Sequence, residues 1–245
     1  MAREPRKTSS TGYFHVIVRG VGKQILFEND KDYGYYLGLL EKYSDETNVV
    51  VCAYCLMENH VHLLVHDTNN ELAEFMKKMG VCYAAYYNGK YERTGHLFQD
   101  RFLSEAVETR EYMLTVFRYI LNNPAAAGLC PASEYLWSSY RLYGASESFV
   151  NTTLLENWIG DWERYEAFID EKNYDQCLEY MSEKKGDEWA KGKLRSVLGL
   201  ESGVMIKTYE KCCRDEALRK LKEAGLSSRQ IERLTGIGRS IIQRL

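Results

Sequence analysis

The distribution of apolar and polar positions predicts alternating strands and helices in the first 145 residues of the chain. Alternating or short unbroken apolar runs predict four strands, at residues 13–19, 49–57, 60–67 and 102–107. Apolar residues repeated every three to four positions predict three helices, at residues 32–43, 72–87 and 111–122, the last of them stopped by Pro124. The order β-α-β-β-α-β-α favours an α+β domain with a ferredoxin-like antiparallel sheet and helices on one face.

The composition changes after residue 145. Residues 146–210 contain 8 basic and 14 acidic residues, whereas residues 211–245 contain 9 basic and 4 acidic ones. Helical periodicity continues through both segments, so the C-terminal region is expected to be all-α. The sequence therefore predicts three parts: an α+β domain at 1–145, an acidic helical linker region at 146–210 and a basic tail at 211–245.

The composition of the whole chain excludes several classes of protein. Hydrophobic residues make up 45% of the 245 residues, which excludes a disordered or fibrous chain. The net charge of −3 averages acidic and basic segments, so it says little about a nucleic-acid partner. No apolar run approaches the roughly 20 residues of a membrane span. The odd number of cysteines, seven, indicates reduced thiols, so we expect a cytoplasmic protein.

The one C-x-x-C sequence lies at Cys52 and Cys55, inside a predicted strand. Residues three apart on a strand point to opposite faces, so these thiols are expected to pack in the core rather than share a metal.

Three of the five histidines fall within seven residues of the third predicted strand. Alternation puts His60, His62 and His66 on one face, opposite a core-facing row of valine and leucine. Imidazoles at i and i+2 on a strand can both reach one ion, so His60 and His62 are candidate metal ligands. The alternative is that they are polar residues on the solvent-exposed face of a sheet.

A second candidate pair lies at the end of the third predicted helix. Tyr119 and Asn123 are four residues apart and therefore share a helix face. Asn123 precedes Pro124, which disfavours continued helix, so its amide oxygen is expected at a frayed end from which it could turn toward a metal. The alternative for Tyr119 alone is core packing.

Several motifs, in this order, resemble the REP-associated tyrosine transposases, which belong to the single-tyrosine HUH endonuclease superfamily. The motifs are AYCLM at 53–57, NHVH at 59–62, GHLFQDRF at 95–102, RYILNNP at 118–124 and WSSY at 137–140. The resemblance covers roughly residues 8–145. It implies a catalytic domain with a ferredoxin-like fold, a divalent metal (Mg²⁺ or Mn²⁺) and a tyrosine that cuts single-stranded DNA beside a hairpin.

By position, the resemblance makes Tyr119 the nucleophile and His60, His62 and Asn123 the metal ligands. His15 lies where such proteins often carry a histidine, and we assign it no role. The implied chemistry is nucleophilic catalysis through a covalent 5′-phosphotyrosine, which keeps the bond energy available for joining a second strand. A metal held by two imidazoles and one amide would act as a Lewis acid on the phosphodiester.

A segment with flexible backbone, cations and aromatic rings lies at residues 88–101, and this composition is typical of single-strand binding surfaces. Its candidate DNA contacts are Lys90, Tyr91, Arg93, Phe98 and Arg101. Arg19 and Arg118 are further candidates for contact with phosphates. The alternative is an ordinary solvated loop.

The tail at residues 226–245 resembles a helix-turn-helix, with Ile231 and Leu234 facing inward and Gly236 to Gly238 forming the turn. Residues 239–245 would form the recognition helix. Its candidate DNA contacts are Arg239, Ser240, Gln243 and Arg244. The alternative is a helical hairpin that packs on the acidic region.

We therefore expect a transposase-like endonuclease and strand transferase that acts on single-stranded or hairpin DNA, with no membrane association. The alternative is a non-catalytic, sequence-specific DNA-binding regulator that uses the tail. A third possibility, plasmid replication, is disfavoured because the sequence shows no helicase-like segment. The protein is expected to be a monomer or homodimer in the cytoplasm, associated with the nucleoid.

Overall fold

The computed structural model describes residues 8–172, 177–178, 187–200, 202–226 and 228–244. The chain forms two compact units, Met1–Tyr180 and Met181–Leu245. This division by contacts differs from the three-part division by charge, because helices that follow residue 145 pack within the first unit. Parts of the segment 146–210 lie outside the described residues.

A four-stranded antiparallel sheet organises the first unit. Its strands are β1 (Tyr13–Arg19), β2 (Val50–Met57), β3 (His60–His66) and β4 (Leu103–Ala106), in the spatial order β2–β3–β1–β4. The long central pairing joins β1 and β3 along their whole length, from Tyr13 opposite His66 to Arg19 opposite His60. The predicted strand and helix order and the α+β, ferredoxin-like fold are thus confirmed.

One face of the sheet is covered by α1 (Asp30–Thr47) and α2 (Leu72–Lys90). The valine and leucine row of β3, Val61, Leu63 and Val65, is fully buried against them, as alternation predicted. The interior between the sheet and these helices is rich in aromatic rings.

The opposite face is covered by α3 (Arg110–Ala126), on which α4 (Thr153–Ile159) and α5 (Trp162–Asp170) also pack. The prediction that helices cover only one face is therefore wrong. The reason lies in β2, which is buried from Val51 to Met57 without interruption, as is typical of a strand covered on both sides. The face that carries the histidines is consequently interior rather than solvent-exposed.

The prediction that helix α3 stops before Pro124 is wrong, because the helix continues through Pro124 to Ala126. The fixed φ of proline is compatible with a helix, but proline lacks a backbone donor and its ring crowds the carbonyl four residues earlier, a cost that α3 accommodates in its last turn. The helical ladder continues beyond it, because Ala127 N–H donates to the Asn123 carbonyl at 3.0 Å. Asn123 therefore lies within a regular helix, and its side chain is positioned by the helix rather than by a frayed end.

The two cysteines of β2 occupy the same side of the sheet, contrary to the prediction. The register shifts between Val51 and Ala53, so Cys52 is the extra residue of a β-bulge and the alternation restarts after it. Cys52 and Cys55 are buried free thiols in the core under α3, and burial raises the pKa of Cys52 to about 12.

The outer edge of β2 is bonded to the chain that follows α3. Leu56 N–H donates to the Trp137 carbonyl at 2.9 Å, and the Leu56 carbonyl accepts from the Tyr135 hydroxyl at 2.8 Å. At the other end of the strand, Asn151 N–H donates to the Val51 carbonyl at 2.8 Å.

The second unit contains α6 (Asp187–Leu198), α7 (Lys211–Glu223), α8 (Ser228–Thr235) and α9 (Arg239–Gln243). It has its own apolar core, to which Leu194, Leu218, Ile231 and Ile242 contribute fully buried side chains. The C-terminal region is therefore all-α where it is described. None of the helices in the described ranges has the length and apolar content needed to cross a bilayer.

Candidate active site

The register of the sheet gathers polar side chains on the face beneath α3. Ile17 is opposite His62 and Arg19 is opposite His60, and residues opposite each other share a face of the sheet. Alternation along β1 adds His15 to this face. The sheet thus presents His15, His60, His62 and Arg19 toward α3.

Helix α3 contributes Tyr119 and Asn123, one turn apart. The ring of Tyr119 meets His62 edge-on, with centroids 5.6 Å apart, and meets His15 in the same way at 6.0 Å. The rings of His60 and His62 are 5.0 Å apart. The four residues singled out from the sequence, Tyr119, His60, His62 and Asn123, are therefore neighbours within a single chain.

The contacts of Asn123 orient two acceptor atoms toward each other. Asn123 Nδ2 is 3.4 Å from the Tyr119 carbonyl, which directs Oδ1 toward His60 Nε2, also at 3.4 Å. On the other side of the ring, His60 Nδ1 donates to Asn59 Oδ1 at 2.7 Å. In a neutral imidazole the second nitrogen is then an acceptor. His60 Nε2 and Asn123 Oδ1 therefore form the paired acceptors that a cation requires.

His62 is held by a second histidine. His62 is 3% exposed and His15 is fully buried, and His15 Nε2 lies 3.0 Å from His62 Nδ1. Burial lowers the pKa of His15 to about 3. Burial, followed by the charges of His15, His60 and Arg19, keeps the pKa of His62 well below its usual value. Both rings are consequently neutral at neutral pH, so one nitrogen donates and the other accepts.

Sequence reasoning assigned no role to His15 and did not select Asn59. His15 contacts Nδ1 of His62, and Asn59 binds Nδ1 of His60. Residues outside the metal's ligand set commonly orient metal-binding histidines in this way. A signal was present for both: His15 interrupts the buried apolar run of β1, and Asn59 immediately precedes His60 in the turn.

The donor atoms of the cluster are of types that bind divalent cations. Within the described ranges, no group of three or more His, Cys, Asp or Glu side chains could hold a metal ion. The cluster at α3 instead combines two imidazoles with an amide oxygen. Mixed nitrogen and oxygen donors are compatible with Mn²⁺ and Mg²⁺. The buried Nδ1 of His15 has no hydrogen-bond partner, which costs folding free energy.

Tyr112 is the other tyrosine on this side of α3, one heptad before Tyr119. Its hydroxyl donates to Glu105 Oε2 on β4 at 2.5 Å. Burial and this carboxylate raise the pKa of Tyr112 above its usual value. Tyr112 is thus poorly suited to act as a phenolate nucleophile.

The two further arginines have different surroundings. Arg19 on β1 lies directly opposite His60 on β3. Arg118 Nη1 instead lies 2.8 Å from Glu171 Oε2, and its guanidinium stacks on Phe168. Arg118 therefore joins α3 to the segment at the end of α5. A contact between Arg118 and phosphate remains a prediction.

The first part of the predicted DNA-binding segment is engaged with α1. Lys90 Nζ pairs with Asp32 Oδ1 at 2.5 Å, and the Tyr91 hydroxyl donates to Asp32 Oδ2 at 2.6 Å. Arg93 Nη2 donates to Gln24 Oε1 at 2.7 Å. The structure therefore gives these three side chains partners inside the first unit, and contact with DNA remains a prediction for each.

The second part of the segment has another setting. Phe98 and Arg101 line a pocket beside α2.

In the second unit, α8 and α9 are joined by the predicted turn at Gly236 to Gly238, but α9 ends at Gln243. Leu245 lies outside the described residues. Arg239 Nε donates to Glu232 Oε2 at 2.8 Å, and Ser240, Gln243 and Arg244 are exposed.

The sheet and the helix that crosses it form an α+β domain of ferredoxin-like fold, with Tyr119 beside His60 and His62. Residues 8–123 match the family described as "Transposase IS200 like", and this range includes all four central site residues. This part of the chain is therefore similar to the IS200-like transposase family.

One solved structure extends the similarity, at the level of the fold, to a larger part of the chain. A REP-associated tyrosine transposase bound to a REP hairpin is 14% identical, with a TM-score of 0.52, and the match covers 73% of this chain and 99% of that chain. This likeness confirms at the level of the fold the resemblance seen in the motifs. A protein from Deinococcus radiodurans R1 described as a transposase is 18% identical, with a TM-score of 0.35 and coverage of 49% and 96%. No curated protein matches the chain.

Proposed function

We propose that this protein is a metal-dependent endonuclease and strand transferase that cuts single-stranded DNA beside a hairpin through Tyr119. The observation that carries the proposal is the convergence of Tyr119 with His60, His62 and Asn123 in one chain. A solved relative in fold is bound to a REP hairpin, which supports hairpin DNA as the substrate. We further propose that the protein acts on DNA in the cytoplasm and associates with the nucleoid.

The residues divide the work between them. Tyr119 Oη forms a bond to phosphorus while the bond from phosphorus to the 3′ oxygen breaks, which leaves a 5′-phosphotyrosine and a 3′ hydroxyl. The phenol proton is lost to solvent, and the 3′ oxygen takes up a proton. Attack by a second 3′ hydroxyl reverses these changes and joins a new strand, so no external energy source is required.

His60, His62 and Asn123 would hold Mg²⁺ or Mn²⁺ through Nε2, Nε2 and Oδ1. A divalent cation bound there would supply Lewis-acid stabilisation of the charge on the phosphate and on the leaving 3′ oxygen. Asn59 and His15 fix the two imidazoles in orientation. Arg19, beside His60, is suited to hold a neighbouring phosphate.

The position of the tyrosine is maintained within the same chain. Asn122 Nδ2 donates to the Ile169 carbonyl at 2.7 Å, and Arg118 pairs with Glu171, so two residues adjacent in sequence to Tyr119 and Asn123 bind the end of α5. This supports a nucleophile that acts on DNA bound to its own subunit.

The test is incubation of the protein with a labelled hairpin oligonucleotide and Mn²⁺ or Mg²⁺. Wild type should form a protein–DNA adduct that survives denaturation, and Tyr119→Phe should form none while still binding the DNA. Tyr112→Phe is the matched control and should keep the adduct, because the Tyr112 hydroxyl is bonded to Glu105.

Two outcomes would contradict the proposal. An adduct formed by Tyr119→Phe would assign the chemistry to another residue. DNA that is bound but uncut by wild type with either metal would favour the alternative, a regulator that binds DNA without cutting it.

A further inference from the structure

A pocket of about 390 Å³ lies in the first unit between α2 and the residues that precede β4. Small-molecule pockets in proteins commonly measure about 300–1,000 Å³, so this one is at the small end of the range. It is large enough for a single planar group and too small for a folded segment of another protein.

The pocket combines stacking surfaces with charge. Phe98 and Phe102 contribute partly exposed aromatic rings, whereas the ring of Tyr36 is buried. Met76 and Met79 contribute side chains that adapt their shape to a ligand. Bases of single-stranded DNA bind by stacking on such rings.

Charged side chains also line the pocket. They are Lys77, Asp100 and Arg101. Lys77 pairs with Glu74 on the surface of α2, and Asp100 and Arg101 each have an interaction within the protein. Stacking on the aromatic rings is therefore the interaction by which this pocket would bind a base.

The pocket is next to the end of β1 that carries the candidate active site. Val18 lines the pocket, and the next residue, Arg19, faces the opposite side of the sheet, where it lies opposite His60. Phe98 is paired with Gly20, and Gln99 N–H donates to the Arg19 carbonyl at 2.9 Å. The pocket and the candidate active site therefore lie on opposite faces of the sheet at the same end of β1.

We propose that this pocket binds one unpaired nucleobase of the DNA strand, close to the linkage that is cut. This inference rests on the proposed function, because it requires single-stranded DNA at Tyr119. It gives Phe98, a candidate DNA contact by composition, the specific role of stacking on that base.

Gly80 offers a way to fill the pocket without disturbing the fold. A Cβ atom at Gly80 would meet only Phe98 Cε2, at an ordinary contact distance of 3.9 Å. The residue lies within α2, where leucine is more favourable than glycine. Gly80→Leu is therefore expected to fold and to occupy the space of the base. Gly38→Leu in α1 is the matched control, because a Cβ there meets no atom within 4 Å and Gly38 does not line the pocket.

The experiment measures binding of hairpin oligonucleotides whose single-stranded flanks carry one abasic nucleotide at successive positions. With wild type, one abasic position should weaken binding about tenfold, the size expected for the loss of one base–aromatic stack. Gly80→Leu should bind the intact DNA about tenfold more weakly and should no longer respond to that abasic position. Gly38→Leu should behave as wild type.

The proposal is overturned if no abasic position affects wild type, a result that does not depend on any variant. It is also overturned if Gly80→Leu keeps both the affinity and the abasic response of wild type. Adduct formation is scored separately on the same DNA. A wild-type adduct with a flat abasic series refutes the pocket alone, whereas the absence of any wild-type adduct refutes the proposed function.

Discussion

Replacing His15 with phenylalanine tests whether the hydrogen bond between His15 and His62 holds His62 in the tautomer and orientation that bind a cation. The substitution keeps a ring of similar size next to Tyr119 and removes the nitrogen that lies 3.0 Å from His62 Nδ1. His62 can offer Nε2 to a cation only if Nδ1 carries the proton, and His15 Nε2 is the acceptor for that proton. Without it, a buried donor loses its partner.

The size of the effect follows from burial. Loss of an outer hydrogen bond to a metal-binding histidine typically reduces metal affinity about 10- to 100-fold. Because His15 is 0% exposed and His62 3% exposed, bulk water cannot readily replace the missing acceptor. We therefore expect His15→Phe to lie in the upper part of that range, about 30- to 100-fold. His15→Gln, whose amide oxygen can accept the same hydrogen bond, should recover part of the loss.

In the assay, DNA-free protein is titrated with Mn²⁺, and binding is measured by calorimetry or from the electron paramagnetic resonance signal of the free ion. His66→Phe is the matched control, because His66 lies on the same strand but stacks on Tyr13. Unchanged Mn²⁺ affinity in His15→Phe would refute the reasoning. An equal loss in His66→Phe would show that the effect is not specific to the pair.

Two further predictions concern the fold and the tail. Burial raises the pKa of Asp32, but the hydrogen bonds from Lys90 and Tyr91 outweigh burial, so the pKa in the folded protein lies below the usual value. The ionised carboxylate therefore stabilises the fold fully above the unfolded pKa, near 4. This stabilisation disappears as the pH falls through the folded pKa. Asp32→Asn should therefore lower the free energy of unfolding by about 2 kcal/mol at neutral pH and flatten its decline in acid, as measured by urea denaturation; equal curves for the two proteins would contradict this. If the exposed Arg244 contacts a phosphate, Arg244→Ala should reduce the slope of log affinity against log salt by about 1, and an unchanged slope would remove Arg244 from the DNA contacts.

Periodicity predicted the order of strands and helices but not which faces of the sheet are covered. The valine and leucine row of β3 marked one buried face correctly. The second face carries histidines on β3, and its burial is visible only in β2, whose continuous apolar run fits either a strand covered on both faces or a helix. The bulge at Cys52 could not be predicted, because it depends on pairing with β3.

The candidate site could be predicted in two halves. Spacing put His60 with His62 and Tyr119 with Asn123, and only the resemblance to a family joined the two pairs. Their contact depends on how α3 crosses the sheet, which local sequence does not specify. The expected end of the helix at Pro124 was wrong because a local preference against helix before proline was outweighed in the folded protein.

The segment at residues 88–101 shows the limit of composition as a guide to binding. Lys90 and Tyr91 have the composition of a DNA contact but bind a buried carboxylate that is 58 and 59 residues away in sequence. Phe98 and Arg101, from the same segment, line a pocket.

The bonded outer edge of β2 limits how copies of this protein can associate. A sheet edge with unpaired N–H and C=O groups is a template onto which another chain can add a strand. Here Leu56 is paired with Trp137 and Tyr135, and Val51 with Asn151, so a second copy cannot extend the sheet at β2 without displacing the protein's own chain. The segment after α3 thus occupies the backbone groups that strand exchange or aggregation at that edge would require.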